Sequence, residues 1–210
     1  MIEVRSSYLV KMHGVEHGVI DHWKQGYENI WPLLGWGGRI QQMLHGHAQQ
    51  SLFVWSSEWP NLSEWEDAMA RGLHSDEFQE WYGEMQDKFL LYGSEREVFS
   101  ILEPVGFVDS EPGKLEVRSS YLVPMANVRR AQEHMRKALE LEGWSGQNMQ
   151  MLHGKAAQTM FVWSSSYDSL GDWEIDMANE GPEGEALEAW FMEWIEIVDF
   201  GGPREIFRNL

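Results

Sequence analysis

Cysteine is absent from all 210 residues. Disulfides, thiolate nucleophiles and cysteine-ligated metal centres are therefore excluded, and the expected compartment is the cytoplasm. Basic residues are scarce as well: 16 Lys and Arg stand against 34 Asp and Glu, a formal net charge of −18. Nucleic-acid binding depends on Lys and Arg that neutralise phosphates, so that partner is not expected, and an anionic membrane surface is disfavoured for the same reason. Long apolar runs are missing too. FLLY (89–92) and SLFVW (51–55) are far shorter than the roughly 20 residues that span a bilayer. The opening MIEVRSSYLV lacks a basic stretch followed by an apolar one, so no secretory signal is expected. The acidic excess forms no tail: seven basic residues face sixteen acidic ones up to Val108, and nine face eighteen beyond it. It reads as a solvated surface that keeps the chain in solution.

Apolar and aromatic side chains are present in quantity, and they come twice. With 43% hydrophobic residues and 12 tryptophans the chain can bury a core. IEVRSSYLVKM (2–12) returns as LEVRSSYLVPM (115–125), identical at nine of eleven positions. Gln42–Ala70 matches Gln150–Ala178 at 17 of 29 positions, and REVFSIL (96–102) returns as REIFRNL (204–210). The period is that of a whole domain, not of a solenoid unit. EPVGFVDSEPGK (103–114), with its Pro, Gly and charges, reads as the connection.

Within the first unit Ile2–Val10 is a strand and His13–Ile30 a helix, whose counterpart is Asn127–Leu141. Arg39–His45 and Gln50–Ser56 make a strand pair around the HGH turn. Asn61 with Glu64, and Ser169 with Asp172, are capping-box spacings that open a helix. A further helix covers Asp76–Leu91, and Glu95–Leu102 closes the unit as a strand. The order β-α-β-β-α-β is ferredoxin-like. One such unit leaves a sheet face bare. We therefore expect an α+β protein of two tandem ferredoxin-like repeats, 1–104 and 115–210, joined by a linker at 105–114 and packed sheet to sheet.

This order, together with FVWSSEWPNLSEWE (53–66), resembles the dimeric α/β-barrel superfamily, specifically its antibiotic-biosynthesis-monooxygenase and NIPSNAP-like groups. In that stretch a strand ends in an aromatic and a helix opens with Leu-x-x-Trp-Glu. The resemblance spans essentially the whole chain. It implies an intramolecular dimeric α/β barrel with a small-molecule substrate between its sheets. The activity it implies is a cofactor-independent, monooxygenase-like oxidoreductase that converts a small apolar or aromatic substrate without flavin or nicotinamide. Two alternatives accompany it: a haem-binding or haem-using protein, and a non-catalytic binding module. Tandem linkage permits either a monomer with pseudo-twofold symmetry or a homodimer.

Duplicated polar residues supply the candidate site. His45 and His153, at equivalent strand ends, are the candidate proton carriers or haem ligands. Arg5 and Arg118 lie mid-strand, where a charge needs a partner or a wet cavity; in a wet cavity they would hold a carboxylate or phenolate. Tyr8 and Tyr121 recur as possible substrate-orienting phenols. Alternation puts Arg5, Ser7 and Leu9 on one face of the first strand. Gln41, Met43 and His45 share a face of the second, and Phe53, Trp55 and Ser57 a face of the third. Taking those as the cavity side makes Met43, Phe53, Trp55 and the repeat's Trp163 substrate-binding residues. His17 and Asp21, spaced i, i+4, are the only metal-like pair, and no metal is expected because the second unit does not repeat it. HExxH, GxSxG and phosphate-binding glycine loops are absent.

Overall fold

The computed structural model describes residues 1–16, 18–46, 51–103, 105–141, 144–178 and 185–210. These residues form strands β1 (Ile2–Val10), β2 (Arg39–His45), β3 (Leu52–Trp59), β4 (Leu90–Ile101), β5 (Leu115–Leu122), β6 (Gln147–His153), β7 (Met160–Tyr167) and β8 (Phe200–Asn209). Helices α1 (Met12–Glu16), α2 (Val19–Asn29) and α3 (Trp31–Leu34) follow β1, and α4 (Leu62–Leu73) and α5 (Asp76–Lys88) follow β3. In the second half α6 (Val128–Ala138) follows β5, and α7 (Leu170–Ala178) and α8 (Glu185–Ile197) follow β7. None of these helices is long and apolar enough to cross a membrane.

Local chemistry explains the boundaries. Asn61 accepts from the Glu64 N–H at 3.0 Å, and Ser169 from that of Asp172 at 3.2 Å, so each caps the helix that follows. The continuous helix expected over His13–Ile30 is instead two pieces, α1 and α2, and the short α3 follows them. Gly18, at φ +102°, precedes α2, and Pro32 stands in the first turn of α3, where its missing N–H costs nothing. The helix expected to reach Leu91 stops at Lys88, and β4 takes over at Leu90. The HGH turn falls partly on residues outside the described ones.

The strands close an antiparallel barrel in the order β1-β3-β2-β8-β5-β7-β6-β4, with β4 pairing back to β1. Residues up to Ile101 supply β4-β1-β3-β2, and residues from Leu115 supply β8-β5-β7-β6. These two runs meet at their edges: Gln41 lies opposite Asn209 across β2 and β8, and Phe99 opposite Met151 across β4 and β6. The two runs face each other across the barrel, where Arg5 of β1 reaches Met149 of β6 and Ser164 of β7, and they also pair along both edges. An open edge leaves a row of N–H and C=O groups without partners, and closure satisfies them. Gly38 and Gly146 stand before β2 and β6 at φ +105° and +96°; a Cβ on either would sit 2.1 Å from the carbonyl oxygen of Ser56 or Ser164.

Aromatics fill the layer between barrel and helices. Trp23, Trp31, Trp36, Trp55 and Trp81 form one contiguous set of ring contacts. Trp144, Trp163, Trp190 and Trp194 form its counterpart. A reciprocal clasp recurs in both. His22 on α2 bonds the Trp81 carbonyl at 3.1 Å, and Trp81 Nε1 donates to the His22 carbonyl at 3.0 Å. His134 and Trp190 repeat this at 2.9 and 3.0 Å, again with stacked rings.

Burial depresses the pKa of both histidines, outweighing the Trp carbonyls and the nearby Glu84 or Glu193 that push the other way. Each is favoured neutral in the fold, whereas an unfolded histidine takes up a proton at about pH 6.5. The unfolded chain then binds more protons, so their contribution is full above that pH and declines as pH falls below it. Tm should drop between pH 7.5 and 5.5. A His22→Gln/His134→Gln variant, which keeps a donor for each Trp carbonyl, should show a flatter Tm profile across that range.

Candidate functional site

The first residues of β1 and β5 build the barrel centre. Alternation points Glu3 and Arg5 inward from β1, and Glu116 and Arg118 inward from β5. Arg5 Nε donates to Glu3 at 2.5 Å and Arg118 Nε to Glu116 at 2.7 Å. Arg39 ties the carboxylates together, with Nη2 3.0 Å from Glu3 and Nε 2.8 Å from Glu116. Gln41 Nε2 donates to Glu116 at 2.6 Å and to Asn209 at 2.9 Å. None of the five charged residues is more than 5% exposed.

Burial alone would raise both carboxyl pKa values. Arg118, Arg39 and Arg5 instead hold Glu116 well below its ordinary range, and Arg39 and Arg5 hold Glu3 below it. Burial also opposes the charge on Arg39, but Glu116 and Glu3 outweigh it and push its pKa up. Three guanidiniums against two carboxylates leave the ring with one excess positive charge. Arg5 lies 4.3 Å over the Phe99 ring and Arg118 4.2 Å over Phe207, so each cation also has an aromatic face.

Beside this ring a cavity of about 300 Å³ opens toward the end of the barrel. Arg5 and Arg118 form its floor, Leu9, Leu52, Val54, Tyr92 and Phe207 its apolar wall, and Glu95, Glu97, Glu205 and Lys155 its polar side. Lys155 pairs with Glu95 at 3.0 Å. Glu97 lies directly opposite Arg5 in the β1–β4 ladder, and Glu205 opposite Arg118 in the β5–β8 ladder. The arrangement is a small pocket that joins an apolar wall to several convergent charges, as a small-molecule site can.

The structure brings only some of the expected residues to this place. Arg5 and Arg118 reach it, and Met43 packs next to it with Leu52, Val54 and Phe207. Tyr8 and Tyr121 do not. Their rings contact Trp23 at 5.0 Å and Trp194 at 5.4 Å on the helix side, and burial pushes the Tyr8 pKa up to about 12. Phe53, Trp55 and Trp163 also face the helices: Trp55 stacks on Trp36, and Trp163 on Trp144. The expected side of β3 is thus corrected by one residue; Leu52, Val54 and Ser56 point inward. His45 and His153 end β2 and β6 as exposed residues. Of the metal-like pair, His17 lies outside the described residues.

Sequence reasoning missed Glu3, Glu116, Arg39, Glu97 and Glu205, and it placed Gln41 on the cavity face without a role. Four of these carried a signal. Glu3 and Glu116 stand two residues before the duplicated arginines, hence on the same strand face. Glu97 and Glu205 head the repeated closing strand. Arg39 and Gln41 carried none, because the second half has Gln147 and Met149 at those positions.

This closed eight-stranded barrel with outer helices matches the dimeric α/β-barrel type of fold. A candidate monooxygenase from Fusobacterium nucleatum superposes with a TM-score of 0.67 at 6% identity, over 100% of this chain and 92% of that one. A candidate monooxygenase from Lactobacillus acidophilus gives 0.64 at 11% identity, over 100% and 93%. An anthrone oxidase-like protein gives 0.60 at 12% identity, over 100% and 91%. At these identities the likeness is one of fold. No protein-family model and no curated protein matches the sequence.

Proposed function

We propose that this chain is a monooxygenase-like enzyme. Its substrate is a small apolar or aromatic weak acid, such as a phenol or an enolisable ketone, bound in the barrel mouth and converted without flavin or nicotinamide. One observation carries the reading: two guanidiniums form the floor of a cavity of about 300 Å³ that is lined otherwise by apolar side chains on one side and by carboxylates on the other. A neighbouring fixed cation favours the ionised form of a bound acid. The net charge of −18 and the carboxylates of the cavity discourage a preformed anion from entering, so the substrate enters neutral and loses its proton inside. We assign proton acceptance to Glu97 or Glu205, which line the cavity, in preference to His45 and His153 at exposed strand ends. The resulting anion is itself the reductant. The CH2 conjugated with the carbonyl, or in a phenol the ring C–H para to the oxygen, becomes C=O; one oxygen atom of O2 is retained, and the other leaves with the two hydrogens as water.

We further read the chain as a tandem duplication of a ferredoxin-like unit, 1–104 and 115–210 about a linker at 105–114. Matched pairs such as Glu3 with Glu116 and Gly38 with Gly146 support this, and a single chain then supplies what a homodimer would.

An oxygen electrode tests the activity, with anthrone and 1-naphthol as probes and no added reductant. Stoichiometric O2 uptake is expected. A Glu97→Gln/Glu205→Gln variant should lower kcat by about 10²-fold or more, the usual contribution of a positioned base, while still folding. No uptake with either probe, or an undiminished rate in the double variant, overturns the assignment.

A further inference from the structure

The two arginines at the cavity floor are equivalent by position but not by environment. We infer that the oxyanion of the substrate binds at Arg5 alone, with its proton passed to Glu97, so that the barrel holds one asymmetric site. This deepens the reading above and rests on it.

The asymmetry lies in the third residue of β2 and of β6: Gln41 in one half, Met149 in the other. Arg118 Nη2 is already engaged, donating to Gln41 Oε1 at 2.5 Å and Ser56 Oγ at 3.1 Å. Gln41 is itself held by Glu116 and Asn209, so an anion reaching Arg118 would have to break a connected set of buried bonds. Arg5 Nη2 has much less. Its neighbours are Ser164 Oγ at 3.5 Å, Met149 Sδ at 3.8 Å and Glu116 Oε1 at 3.9 Å. A thioether is a weak acceptor, and these separations exceed those of a good hydrogen bond. Arg5 also opens on the cavity, with Glu97 directly across the ladder from it.

The step needs only what lies there. The O–H bond of a phenol or enol breaks, the proton goes to the Glu97 carboxylate, and the electron pair stays on the oxygen that Arg5 Nη2 then binds. At Arg118 the same oxygen would compete with an amide carbonyl already in place.

The test exchanges the two acceptors, with 4-nitrophenol as probe because its visible band reports the anion. The full-length protein should bind one equivalent, as phenolate. Met149→Gln gives Arg5 the acceptor that Arg118 already has and should weaken binding by about ten-fold or more, the scale of one charged hydrogen bond. Met149→Leu fills the same space with no acceptor and should still bind. Gln41→Met should expose Arg118 and raise the stoichiometry to two. Two equivalents in the unmodified protein, or Met149→Gln binding as tightly as Met149→Leu, overturns the single-site inference and leaves the cavity reading standing. No binding of the probe to the unmodified protein overturns both.

Discussion

Glu116→Gln should remove about 3–5 kcal/mol of folding stability, the cost of breaking a buried ion cluster by deleting one partner. Glu116 accepts from Arg118 at 2.7 Å, Arg39 at 2.8 Å and Gln41 at 2.6 Å, with Arg5 at 3.9 Å. An amide in its place carries no charge and turns an N–H group toward other donors, while three guanidiniums stay buried against Glu3 alone. Urea unfolding at pH 7.5, followed by tryptophan fluorescence, measures the loss; Tm should fall by roughly 10 °C. Glu84→Gln is the control, because its ion pair with Lys88 lies on the exposed surface of α5 and the midpoint should not move. A loss below about 1 kcal/mol would mean that water reaches the ring and screens it. The pH sign follows from the same contacts. Glu116 and Glu3 have depressed pKa values, so their contribution is complete above the unfolded carboxyl range and is lost as pH falls through their folded values.

Trp31→Ala should cost a comparable amount, about 3–5 kcal/mol, as expected for emptying a large aromatic site. Its ring contacts Trp81 at 4.9 Å, Trp36 and Trp55 at 5.5 Å and Trp23 at 6.2 Å, and it is 2% exposed. The packing leaves no room to relax. A Cβ on Gly26 would lie 2.7 Å from both Trp31 and Trp81, so α2 approaches this cluster only because it carries no side chain there. Trp31→Phe should cost less than half as much. It retains a ring and removes an indole N–H that is buried without a partner among the described residues. Equal losses for the two variants, read by the same urea titration, would refute that account of the N–H.

The residues show where sequence reasoning reached and where it stopped. The caps at Asn61 and Ser169 were legible because a side chain and an N–H three residues on are local. Arg5, Ser7 and Leu9 were legible as one face because a charge marks which residues belong together. The side of β3 was not. LFVWSSEW is apolar on both faces, with Leu52 and Val54 inside the barrel and Phe53 and Trp55 against the helices. A period of two cannot choose between two apolar faces, and a slip of one residue exchanges them. Tyr8 was named because it recurs, although alternation from Arg5 already puts it on the opposite face of β1. The role of Gln41 was illegible because its partners, Glu116 and Asn209, are distant in sequence, and because Met149 and Ile101 stand where the other half has Gln41 and Asn209.

The sequence by itself determined the two-fold repetition of its segments, the strand and helix order along the chain, and the grouping of Arg5, Ser7 and Leu9 on one face, since repeats, caps and alternation are short-range properties. Tertiary structure decided that the halves join edge to edge, that charge rather than aromatic rings fills the barrel centre, and that Arg118 is engaged while Arg5 is less so. Those outcomes depend on pairings such as β2 with β8 and β4 with β6. The register of such pairings is set by closing the barrel, a condition on the whole chain that no local stretch contains.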